Sequence, residues 1–177
     1  MRLESGLKVG IYGTSQYDML KQCCGVILEC MDKLDADPKY NLGLVHTDIR
    51  NTNFIYTQNR VVLIDFSRSV YSYYLYDLGE LCLHGDFCGS SAELKNAALR
   101  GYHSVKPLKQ DHPFMMQAFF AMFIMMVIAE GIENTQPSHK AWLGHVLKWF
   151  HDEVHPGLIS GKGYLDSTIF SCIDLID

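Results

Sequence analysis

Apolar residues recur at helical spacing between Tyr17 and Leu34, where Met19, Leu20, Cys23, Val26, Ile27, Cys30, Met31 and Leu34 line one side of a helix. Ser15 is placed to cap it. Asp35-Ala36-Asp37-Pro38 ends it, because the residue before a proline is pushed out of the helical region. The period changes after a short apolar lead-in, Leu42 to Val45. Phe54-Ile55-Tyr56 and Val61-Val62-Leu63-Ile64 are β-prone runs around the polar Gln58-Asn59-Arg60, the pattern of a hairpin. Helical spacing returns from Leu75 to Leu83. It returns again from a cap at Ser90 or Ser91 to about Tyr102, with Glu93 placed for a capping box. A helix apolar on nearly all sides is expected over 111–133. An amphipathic one follows over about 139–154, with Trp142, Val146, Leu147 and Phe150 on its apolar side and a stop at Pro156-Gly157. The fold class is mainly α with a small β-hairpin, an α+β arrangement in one domain covering residues 1–177.

Composition narrows this picture. Hydrophobic residues are 48% of the 177 and charged residues 20%, which argues for a packed core and against disorder. The formal charge of −5 leaves no basic footprint, so nucleic acid is not an expected partner. The apolar run from Phe114 to Ala129 stops at Glu130, short of the about 20 residues a bilayer-spanning helix needs. It reads as a core helix with no membrane role. Six cysteines occur without a CxxC pair, and Met1-Arg2-Leu3-Glu4-Ser5-Gly6 lacks an apolar signal core. Reduced thiols in a cytoplasmic protein are the expectation. His151 and His155 are spaced to share a helix face and hold a metal, but without the surrounding residues such a motif needs.

The hairpin carries the candidate chemistry. With Asn59 at the centre of the turn, Phe54 faces Ile64 and Asn53 faces Asp65, with Cβ atoms about 4.5–5.5 Å apart. An amide oxygen and a carboxylate that close are hard oxygen ligands suited to one Mg²⁺ that keeps water and phosphate as its other ligands. The expectation is conditional on register, since a slip of one residue spoils it. Asp48 lies on the loop entering the hairpin, where its carboxylate is placed to accept the proton of an attacking hydroxyl. Arg50, two residues on, offers a guanidinium fork to a moving phosphoryl group.

His46, Asp48 and Asn53 together reproduce the H-x-D-x-x-x-x-N catalytic loop of kinases. Val62-Leu63-Ile64-Asp65-Phe66-Ser67, followed by Leu75-Tyr76-Asp77-Leu78-Gly79-Glu80-Leu81, resembles the aminoglycoside phosphotransferase and choline kinase superfamily, in which an "IDF" metal-binding aspartate precedes a "YDL" helix start. Leu99-Arg100-Gly101-Tyr102-His103-Ser104-Val105-Lys106-Pro107-Leu108 is similar to the "GYxxxxPL" segment that follows in bacterial members. The resemblance spans roughly residues 1–155. It implies the C-terminal lobe of a kinase-like phosphotransferase, with Asp48 as catalytic base, Asn53 and Asp65 as Mg²⁺ ligands, His46 supporting the loop and Asp77 bracing it or capping its helix. Two positions depart from the family pattern: Thr47 stands where glycine is common, and Arg50 where histidine is common.

The same resemblance implies an activity, transfer of the ATP γ-phosphate to a hydroxyl of a small molecule, with ATP as co-substrate. Only 45 residues precede His46, and none forms a glycine-rich loop over phosphates or a strand bearing an ATP-pairing lysine. The expectation is therefore a substrate-side lobe that is truncated, split or separately encoded. It would work with a separate ATP-binding lobe or as a homodimer. The rival is a non-catalytic kinase-like binding module acting through a partner or a dimer.

Overall fold

The computed structural model describes residues 3–83, 92–134 and 136–164. In chain order its elements are α1 (Leu3–Lys8), α2 (Thr14–Asp35), α3 (Pro38–Asn41), β1 (Leu42–Val45), β2 (Phe54–Tyr56), β3 (Val61–Leu63) and β4 (Val70–Tyr73). They continue with α4 (Tyr74–Leu83), α5 (Ala92–Val105), α6 (His112–Glu130), α7 (Pro137–Trp149) and α8 (His155–Ile159). Short 3₁₀ turns over Asn51–Asn53 and Phe66–Arg68 flank the hairpin. The fold is mainly helical with two small antiparallel sheets, one more than the sequence pattern predicts. The additional sheet pairs β1 with β4, placing Leu44 opposite Tyr71 and Val45 opposite Val70. The apolar lead-in is thus a strand, and its partner is the short Val70-Tyr71-Ser72-Tyr73 run before the "YDL" helix.

The α2 stripe is buried as its periodicity demands: Met19, Leu20, Cys23, Ile27, Cys30 and Leu34 all face the core. The helix starts at Thr14, so Ser15 lies inside its first turn. There the Gly13 N–H donates to the Gln16 side chain at 3.0 Å. Cys23, Cys24 and Cys30 are free thiols. Burial pushes the Cys23 thiol up to about 12 and the Cys30 thiol up to about 11, which makes both inert core residues. Cys88, Cys172 and the caps expected at Ser90 or Ser91 fall outside the described residues.

The core centres on α6, where Met115, Met116, Ala118, Phe119, Ala121, Met125 and Ile128 are buried. With the following turn it forms a helix, His112–Glu133, long and apolar enough by length and composition to cross a membrane. Of its most apolar window, 61% is buried inside the fold, which is how a central core helix packs. Helix α4 lies against it at close range. A Cβ built on Gly79 would sit 2.7 Å from the Met116 carbonyl oxygen, so this contact requires glycine.

Pro156 does not end the last helical segment. The path widens into a π-turn over Phe150–Val154, in which the His155 N–H reaches back to the Phe150 carbonyl. A new helix then begins with Pro156 in its first turn, where the missing N–H costs nothing.

Candidate active site

The hairpin register is set by Thr57. Its N–H and its hydroxyl both donate to the Arg60 carbonyl, at 2.9 and 2.8 Å, and the Arg60 N–H returns to its hydroxyl at 3.1 Å. This closes a two-residue loop, Gln58-Asn59, and pairs Phe54 with Leu63, Ile55 with Val62 and Tyr56 with Val61. The strands are therefore one residue out of the expected register. Asn53 faces Ile64, whose N–H donates to the Asn53 carbonyl at 3.0 Å, and Asp65 lies one residue beyond. Asp65 takes the left-handed conformation, φ +60°, which turns the chain at that point. Direct cross-strand opposition of Asn53 and Asp65 is thus not what links them; they share the mouth of the hairpin.

Each predicted site residue has a definite place. Asp48 is partly exposed, its side chain retaining 20% accessibility. Asn53 is buried, and its amide nitrogen donates to both the Asp48 carbonyl and the Asp48 carboxylate at 2.9 Å. That commitment fixes the carboxylate and leaves the amide oxygen as the atom a hard cation would take. Asp65 is exposed and accepts from the Ser67 hydroxyl at 2.6 Å. The Ser67 hydrogen bonds hold its carboxyl below the usual range. Arg50 sets its Nε 3.9 Å from the Asp48 carboxylate, a long pair in a solvated setting.

His46 is buried and ties the two halves of the site together. Its Nε2 lies 2.9 Å from the Ile64 carbonyl, which can only accept, so Nε2 carries the proton. Its ring leans on Phe66 with centroids 4.8 Å apart. The Thr47 hydroxyl adds a second tie, donating to the Arg68 carbonyl at 2.6 Å. Thr47 has φ +58°, the region glycine occupies at least cost, and a β-branched residue there is strained. Thr47 and Asp65 are the two non-glycine residues with positive φ among the described residues, and both belong to this site.

Helix α4 supplies the floor. The Asp77 carboxylate accepts from the backbone N–H of His46 at 2.7 Å and of Thr47 at 2.9 Å, so it braces the loop. Burial raises Asp77 above the ordinary carboxylate range, with those two hydrogen bonds pulling the other way. Glu80, which motif matching passes over, accepts from the Ile49 N–H at 3.1 Å. It is 1% exposed, and its Oε1 has no hydrogen-bond partner among the described residues. Burial first, then the Asp48 and Asp77 charges, push Glu80 up to about 7 against the pull of the Ile49 N–H and Arg68. A signal for it stands in the sequence: a lone acid three residues after Asp77 in an otherwise apolar helix shares the Asp77 face.

The Gly101–Leu108 segment packs at the entrance to β1. Tyr40 donates to the Pro107 carbonyl at 2.7 Å, the Leu108 N–H donates to His103 Nδ1 at 3.0 Å, and the Lys106 ammonium lies 3.7 Å from the Tyr40 ring centroid. His151 and His155 do not converge on a metal. They bond separately, to Asp152 at 2.9 Å and Gln22 at 2.7 Å. Among the described residues no group of three or more His, Cys, Asp or Glu side chains is arranged to hold a metal ion. Asn53 and Asp65 each bring a hard oxygen to the mouth of the hairpin.

The loop presents a carboxylate, braces it with an asparagine and is anchored on a buried helix carboxylate, the kind of positioning that phosphoryl transfer asks for. The family model for the phosphotransferase enzyme family matches residues 14–116, which take in the whole site. The chain belongs to that family. Neither the curated proteins nor the solved structures yield a match to it.

Proposed function

We propose that this chain transfers the γ-phosphoryl group of Mg·ATP to a hydroxyl of a small molecule, serving as the catalytic and substrate-side lobe of the enzyme. The observation that carries the reading is the state of Asp48: solvent-reachable, yet held at both its backbone carbonyl and its carboxylate by the Asn53 amide. Asp48 accepts the hydroxyl proton, Asn53 and Asp65 hold the metal, and Arg50 steers the phosphoryl oxygens. Mg²⁺, when bound, neutralises charge on the phosphates. The rest of the catalysis is positioning, which is most of what phosphoryl transfer asks of a protein. The test is Mg²⁺-dependent ATP turnover by the full chain, alone and with a nucleotide-binding lobe supplied. Asp48→Ala should abolish nearly all of it, and an unchanged rate would refute the assignment.

A binding-module reading has its own observation. Leu44 and Tyr71, a cross-strand pair, are 71% and 74% exposed, and Ile55, Tyr56, Val61 and Phe66 are exposed on the neighbouring hairpin and turn. Such an apolar surface suits a partner lobe or a second copy. A thermal shift with Mg·ATP separates the readings, because a ligand that binds the native state stabilises it and a pure docking module gains nothing.

A further inference from the structure

The segment His46-Thr47-Asp48-Ile49 follows β1 but makes no ladder of its own, so its N–H groups need other acceptors. Three of the four donate to carboxylates of one helix: His46 and Thr47 to Asp77, and Ile49 to Glu80. Asp48 sits between the points held, and its side chain is oriented by Asn53. Asp77 and Glu80 are three apart on α4, on the face turned from Gly79 and the Met116 backbone.

We propose that Glu80 is a positioning residue for Asp48, forming with Asp77 a two-carboxylate clamp that fixes the backbone on both sides of the catalytic carboxylate. The inference rests on the phosphotransferase reading for the role of Asp48, and on geometry alone for the clamp. Glu80 Oε2 is the acceptor for Ile49, which leaves Oε1, buried and without a hydrogen-bond partner among the described residues, as the oxygen to carry the proton when the carboxyl is protonated. A protonated carboxyl keeps the acceptor the loop needs without adding a third negative charge beside Asp48 and Asp77. The charged and titratable groups facing Glu80 are Asp48, Asp77, Arg68 and Tyr76.

The test reads amide hydrogen exchange, residue by residue, in the wild-type chain, Glu80→Ala and Glu80→Gln. Glu80→Ala should speed exchange at Ile49 by about tenfold or more, while His46 and Thr47, held by Asp77, change by less than about twofold. Glu80→Gln should restore Ile49 protection, since its amide oxygen replaces Oε2. Unchanged exchange at Ile49 in Glu80→Ala overturns the clamp, as does equal acceleration across α4 and the core. In a turnover assay Glu80→Ala should lower kcat with the nucleotide KM unchanged, and Glu80→Gln should recover it at neutral pH; a lowered kcat that Glu80→Gln fails to recover also counts against the clamp. A wild-type chain that gives no turnover even with a nucleotide-binding lobe supplied, yet still shows the Ile49 pattern, defeats the phosphotransferase reading and leaves the clamp standing.

Discussion

Helix α4 has two faces that solve opposite problems. One face is apolar: Leu75, Tyr76, Leu78 and Cys82 are buried in the core, and Gly79 lets the helix meet the α6 backbone. The other face presents Asp77 and Glu80 to a loop with no sheet ladder, and each carboxylate replaces backbone pairing the loop lacks. The core face is held by many interchangeable contacts and the loop face by a few directional bonds. A helix locked by its first face is therefore a rigid ruler for its second. Damage on the core side should cost stability, and damage on the loop side should cost local order and chemistry.

The largest expected effect separates the two cleanly. Asp48→Ala removes the proposed base and should lower turnover by about 10²- to 10⁴-fold. Its side chain is partly solvated, so the urea midpoint should move little. A variant that lost its fold along with its activity would make Asp48 a structural residue. Gly79→Ala should do the reverse. Its methyl would press on the Met116 carbonyl, and overpacking of this kind costs roughly 1–3 kcal/mol. Denaturant unfolding checks this directly, and a neutral result would mean that α4 and α6 sit further apart.

Much of this architecture is legible in the residues. The α2 stripe, the core helix and the hairpin all follow from periodicity, and the Asp48 loop follows from its spacing to Asn53 and Asp65. The register does not, because it turns on one Thr57 hydroxyl choosing the Arg60 backbone over solvent. The β1–β4 pairing is equally hidden: four-residue strands carry little pattern, and their partnership is decided by the chain between them. Glu80 escapes because a motif names the residues that touch substrate, whereas its partner is a backbone N–H far along the chain.

A pH experiment sharpens the contrast between the faces. Glu80 is raised to about 7, so the native state keeps a proton that the unfolded chain releases at ordinary carboxylate pH. The stability from holding that proton is present below the unfolded value and is lost as pH rises through about 7. Asp77, also raised, acts in the same sense. Between about pH 5 and about pH 8 the wild-type chain should lose on the order of 2 kcal/mol that Glu80→Gln keeps. Parallel urea midpoints for the two proteins across that range would remove Glu80 as the titrating group.

The smallest effect concerns the strain the loop accepts. A β-branched residue at φ +58° costs about 1–2 kcal/mol, which glycine would relieve. Thr47→Gly also loses the hydroxyl bond to the Arg68 carbonyl, worth about 1 kcal/mol, and frees the unfolded chain by about 0.5–1 kcal/mol. These terms nearly cancel, so Thr47→Gly should lie close to wild type. Thr47→Ala loses the same bond and keeps most of the backbone cost, so it should fall below both. Glycine exceeding alanine in stability is the reverse of the usual order. Urea midpoints of the pair test whether the loop is held in this strained conformation by the Asp77 and Arg68 bonds, since an alanine variant more stable than the glycine one would mean that residue 47 relaxes out of it.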